Sequence, residues 1–164
     1  MSQEESVDFE KIVSSRLERG VVDVSLSLEN KKLGDKEIAY LAEMEILSEI
    51  THLDLGENKI TDEGLSILCN SPFLKKLKVL NLKSNDITKT GAQTLAQSEN
   101  LSKLEQLILK FNRIGEEGAI HLAESKTLAN LTTLDLFRNR IGDTGVKAIK
   151  TSKNFRRVSR LRLD

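Results

Sequence analysis

A period of 27 residues runs through this chain without a slip. Leu26, Leu53, Leu80, Leu107, Leu134 and Leu161 keep that spacing, and two places on Leu28, Leu55, Leu82, Leu109, Leu136 and Leu163 keep it too. Further columns read Leu33, Ile60, Ile87, Ile114, Ile141; Leu41, Leu68, Leu95, Leu122, Ile149; and Leu47, Leu74, Leu101, Leu128, Phe155. A sixth, three places before the first, is Ile50, Leu77, Leu104, Leu131, Val158. A fixed period of this size marks an array in which each unit buries its apolar face only against its neighbours.

The chemistry inside one period is readable. Alternation such as Leu80-Asn81-Leu82 predicts a short strand with one face buried. Asn58, Asn85, Asn112 and Asn139 follow at the next inward position, where an amide can satisfy backbone groups left unpaired as the chain leaves the strand. Ile60-Thr61-Asp62-Glu63-Gly64-Leu65 then opens a helix, with Thr or Asp to cap it and acids at its positive end. The column Gly64, Gly91, Gly118, Gly145 lies early in that helix, where a side chain would push helix and strand apart. Ala42, Cys69, Ala96 and Ala123 form a small inward column beyond it. Strand, turn and helix in each period predict an α/β right-handed coil with about six parallel strands inside and helices outside.

The pattern L-x-x-L-x-L-x-x-N-x-I-x-x-x-G-x-x-x-L, as in LTTLDLFRNRIGDTGVKAI, resembles a leucine-rich repeat, and its helix-forming half resembles the ribonuclease-inhibitor-like subclass. The resemblance covers residues 22–164, as five repeats and a sixth strand. It implies a curved solenoid with a concave sheet and convex helices, and a role in binding proteins. The ends depart from the pattern: Lys31 stands where Asn is expected, Glu37 replaces Gly, and Lys150 occupies the small column. Residues 1–21 are set apart as an N-terminal capping helix. Its stretch 8–20 places Phe9, Ile12, Val13 and Leu17 on one face, with Gly20 as a stop.

The C-terminal stretch Val158-Ser159-Arg160-Leu161-Arg162-Leu163-Asp164 reads as a strand with nothing after it, an exposed edge. Three readings are open: the chain belongs to a longer one, the arginines solubilise this end, or another molecule pairs there. Net charge is zero, yet residues 1–50 carry 12 acids and 6 bases while residues 101–164 carry 7 and 13. That polarity raises an alternative to partner binding, a structural assembly formed head to tail through acidic and basic ends.

Catalytic chemistry finds no support. His52 falls on a strand and His121 on the outer face of a helix; Cys69 belongs to the buried column. No Cys or His spacing suits a metal and no glycine loop suits a phosphate. No catalytic residue, metal or cofactor is expected. Asp54 and Asp135 share a column three strands apart, about 14 Å, too far for a carboxylate pair. A lone cysteine and no signal-like or membrane-length apolar run point to the cytoplasm and away from membranes. The basic group Lys150, Lys153, Arg156, Arg157, Arg160 and Arg162 invites a nucleic-acid reading, but Phe155 among them belongs to a core column and no recognition motif accompanies it.

The concave face is the expected site. Its outward columns are mostly small or polar except at Ile108, Phe111 and Phe137, which fall together on the fourth and fifth repeats with Lys110, Asp135, Arg138 and Arg162 around them. An apolar cluster ringed by cations has the make-up of a protein-binding hot spot. The same residues could instead satisfy one another, Lys110 stacking on Phe137, Arg138 on Phe111, and Asp135 pairing with Arg162 across the sheet.

Overall fold

The computed structural model describes residues 3–21 and 23–163; Met1, Ser2, Val22 and Asp164, which fall at or near the ends of the expected segments, lie outside them. The chain begins with α1 (Gln3–Ser15), β1 (Leu17–Arg19) and β2 (Val24–Ser27), and continues through α2 (Asp35–Ala42), β3 (His52–Asp54), α3 (Asp62–Asn70) and β4 (Val79–Asn81). It ends with α4 (Lys89–Gln97), β5 (Gln106–Ile108), α5 (Gly115–Glu124), β6 (Thr133–Asp135), α6 (Gly142–Thr151) and β7 (Arg160–Arg162). From β2 onward every strand pairs in parallel with the next, in sequence order. The register is the period itself: Leu26 lies opposite Leu53, then Leu80, Leu107, Leu134 and Leu161. The core is one continuous stack of the predicted aliphatic columns, closed by Phe155.

The start of the chain differs from expectation. The helix ends at Ser15, and Leu17 sits not on it but in β1, which pairs antiparallel with β2 through Leu17–Leu26 and Arg19–Val24. The sheet therefore has seven strands among the described residues, with one antiparallel edge. The reversal is tied at Gly20, whose amide donates to the Asp23 carbonyl at 2.8 Å. Phe9 and Val13 of α1 are buried against the first repeat, whereas Ile12 faces outward.

The asparagine column joins the turns as its chemistry requires. Asn85 donates from Nδ2 to the carbonyls of Leu55 (3.0 Å) and Leu82 (3.1 Å), and its Oδ1 accepts from the Ile60 amide at 3.0 Å. Asn112 and Asn139 repeat that set one and two periods on. Where Lys31 replaces Asn, the amide of Asn58 accepts from both Lys31 and Leu33.

The caps also reach across repeats. Thr61 accepts from the Glu63 amide and so caps α3, while Asp62 accepts from the amide and hydroxyl of Thr88 in the following repeat. Glycine is required early in the helices for a reason other than the expected one. A Cβ on Gly118 would lie 3.0 Å from the Lys89 Cα and 3.1 Å from the Ala92 Cβ, so the close approach is helix on helix rather than helix on strand. The first repeat has no earlier counterpart to crowd it, and there Glu37 accepts from the Gly34 amide instead.

Candidate functional site

The turns that follow the strands project the site. Asn30, Glu57, Ser84, Phe111 and Arg138, again 27 apart, all adopt left-handed backbone, with φ of 59° at Phe111 and 60° at Arg138. Asn tolerates that region; a bulky side chain there is strained and persists only where its surroundings over-determine it. The Phe111 amide is fixed by the Phe137 carbonyl at 2.9 Å, so its ring is thrown outward and is 48% exposed.

Phe111 and Phe137 meet edge to face, with centroids 5.9 Å apart. With Asn112, Arg113, Arg138 and Arg140 they line an open cleft of about 550 Å³ at the end of the sheet. The expected pairing of rings with cations is exchanged. Arg162 lies over the Phe137 ring at 4.3 Å and Arg138 at 5.4 Å, in place of the expected Lys110 on Phe137 and Arg138 on Phe111. A guanidinium is planar and lies flat on a ring, and Arg162 reaches Phe137 from the neighbouring strand.

Asp135 and Arg162 are opposite in register but form no ion pair. The Asp135 carboxylate accepts instead from the Phe137 amide at 3.0 Å, as Asp54 does from Gly56 and Asn81 from Lys83. Asp135 thus forms the turn that presents Phe137. Ile108 stands in that same column without a polar group and is half-buried on the strand below the cleft; Lys110 is half-buried beside it.

Charge is handled differently along the face. Near the N-terminal end Lys83 is held by Glu29 at 2.5 Å and Glu57 at 3.1 Å, which keeps its ammonium protonated above the usual lysine range. It reaches Glu29 by lying across Gly56, where a Cβ would stand 2.9 Å from the Lys83 Cγ. At the other end, among the described residues, Lys110, Arg138, Arg140 and Arg162 make no ion pair, and Arg113 bonds Asp86 at 2.9 Å.

The groups weighed for other chemistry stay apart. The His52 ring hydrogen-bonds its neighbour Thr51 through Nδ1, and His121 belongs to α5. No three His, Cys, Asp or Glu side chains gather as metal ligands among the described residues. No helix among them is long and apolar enough to cross a membrane. Burial pushes the Cys69 thiol up to about 12. The thiolate being the reactive form, iodoacetamide at mildly alkaline pH is expected to leave Cys69 intact in the folded chain and to alkylate it in denaturant. Above the ordinary thiol value the unfolded chain loses a proton that the folded chain keeps, so this group lowers stability as pH rises towards 12.

One set of residues was missed in the sequence. Ser71, Ser98, Ser125 and Ser152 donate to the carbonyls of Ala42, Cys69, Ala96 and Ala123, tying each helix end to the one before. Their common spacing was visible; their use was not, since a serine after a helix reads as an ordinary cap.

A family model described as a leucine-rich repeat matches residues 49–69, 73–96, 100–123 and 127–150, together more than half of the chain. No curated protein matches by sequence. Among solved structures the chain is similar to actin-binding site 2 of leiomodin-1, at 16% identity and a TM-score of 0.60 over 93% of this chain and 90% of that one. It is also similar to the ectodomain of the receptor kinase SOBIR1 from Arabidopsis thaliana (18% identity, TM-score 0.45, 98% and 97% of the two chains). An internalin from Listeria monocytogenes matches at 24% identity and a TM-score of 0.42, over 85% of this chain and 47% of that one. With its sheet built on the repeat register and its family model spanning four successive repeats, the chain belongs to the leucine-rich repeat family.

Proposed function

We propose that the chain is a non-catalytic module of the ribonuclease-inhibitor-like subclass, which binds a protein partner through Ile108, Lys110, Phe111, Asp135, Phe137, Arg138 and Arg162 on the rim of its concave sheet. Leucine-rich repeat proteins generally mediate protein–protein interaction. The observation that carries the reading is the cleft at Phe111 and Phe137: an exposed ring on left-handed backbone in contact with a half-buried one, beside Arg138 and Arg140, which make no ion pair among the described residues. Aromatic and arginine anchors in such a setting dominate protein interfaces. The subclass is supported by the helix in every full 27-residue repeat. Residues 1–21 serve as the N-terminal cap of the repeat domain 22–164, a division supported by the burial of Phe9 and Val13. We assign the cytoplasm as its compartment, in keeping with a buried, unpaired Cys69. A head-to-tail assembly has less support, because α1 already covers the apolar end of the first repeat.

The test is a pull-down from the source cell with the whole chain and with the Phe111→Ser/Phe137→Ser variant. Hot-spot side chains cost at least about 2 kcal/mol each, so the variant is expected to bind the captured protein about 100-fold or more weakly. Its stability should fall by only about 1 kcal/mol, the value of an edge-to-face ring contact at the surface. Equal retention by both proteins counts against the site.

A further inference from the structure

We infer that the cleft takes an acidic segment of a protein, with an apolar side chain seated against the exposed Phe111 ring and carboxylates reaching Arg138 and Arg140; the inference rests on the reading just given. The volume of about 550 Å³ accommodates a side chain and its flanking backbone, while its rim carries three guanidiniums. Arg138 and Arg140 both stand on left-handed backbone, with φ of 60° and 57°, and so project from the turn without an internal counter-ion among the described residues. Asp135 is turned to the Phe137 amide, and Asp86 is engaged with Arg113. Elsewhere on the face the fold does supply counter-charge, with two carboxylates on Lys83. Like charges gathered without neutralisation are relieved by an anion from outside, and a planar guanidinium matches a carboxylate with two parallel hydrogen bonds. Nucleic acid fits less well. Arg162 lies over the Phe137 ring, with Arg138 also against it, so that ring offers a base no free platform, and the cations form a compact patch rather than a track along a backbone.

Selection of short random peptides on phage against the whole chain tests this. The expected binders carry an aromatic or aliphatic residue flanked by at least two Asp or Glu. They should lose about tenfold or more in affinity for Arg138→Gln/Arg140→Gln, and less for Arg138→Lys/Arg140→Lys. Lys153→Gln/Arg156→Gln, which removes two exposed cations away from the cleft, should bind as the parent does. Circular dichroism of each variant confirms that the fold is kept. Binders without acidic residues, or acidic binders indifferent to Arg138→Gln/Arg140→Gln, overturn the inference. So does an equal loss in Lys153→Gln/Arg156→Gln, or tighter binding of a labelled single-stranded oligonucleotide. If selected peptides also ignore Phe111→Ser/Phe137→Ser, the site itself fails; if they need the rings but not the arginines, only the acidic partner does.

Discussion

Asn112→Ala is expected to be among the most damaging single changes in this chain. The side chain is buried, donates to the carbonyls of Leu82 and Leu109 at 2.9 and 2.8 Å, and accepts from the Ile87 amide at 3.1 Å. Truncation leaves the Ile87 amide without a partner in the middle of the stack, while the carbonyls of Leu82 and Leu109 each keep one bond, from Asn85 and Asn139. At about 1–3 kcal/mol for the orphaned amide and about 0.5–1.5 kcal/mol for each of the two bonds lost at the carbonyls, the loss comes to about 2–6 kcal/mol, a large share of a typical domain's stability. Urea unfolding followed by circular dichroism measures it. A loss below about 1 kcal/mol would mean that the amide column is ornamental to the fold, since surface substitutions fall in that range.

Leu107→Ala should be comparably costly and has an internal control. Leu107 is fully buried between Leu80 and Leu134, and the cavity left there is expected to cost about 2–5 kcal/mol. Leu161 occupies the same column in β7 but is 39% exposed, so Leu161→Ala should cost less than about 1 kcal/mol. Both are read from urea midpoints. Equal losses would contradict a stack whose cohesion comes from neighbours on both sides.

The repeat was legible because burial, strand alternation and amide bonding recur at one spacing, so each column is an independent witness to the same register. The reversal into β1 was not. Leu17-Glu18-Arg19 is too short to show alternation, and its partner residues follow within a few positions, where a helix continuing to Gly20 explained the pattern as well. At the candidate site, the sequence placed Phe111 and Phe137 on adjoining repeats, and the structure brings them into ring contact. It did not reveal which cation meets which ring. That choice depends on rotamers and on the turn at Asp135, whose carboxylate is spent on a backbone amide before it can pair with Arg162.

The rungs that tie the coils together have a consequence for length. Asn85, Asn112 and Asn139 each find one acceptor and one donor at the same offsets one coil back. Excising or duplicating a whole unit would set every rung before an equivalent mate. Any other length would slide donors past acceptors along the entire column. The molecule can therefore be shortened or lengthened only in indivisible steps, and the turns carrying Phe111 and Phe137 could move along the array as a cassette.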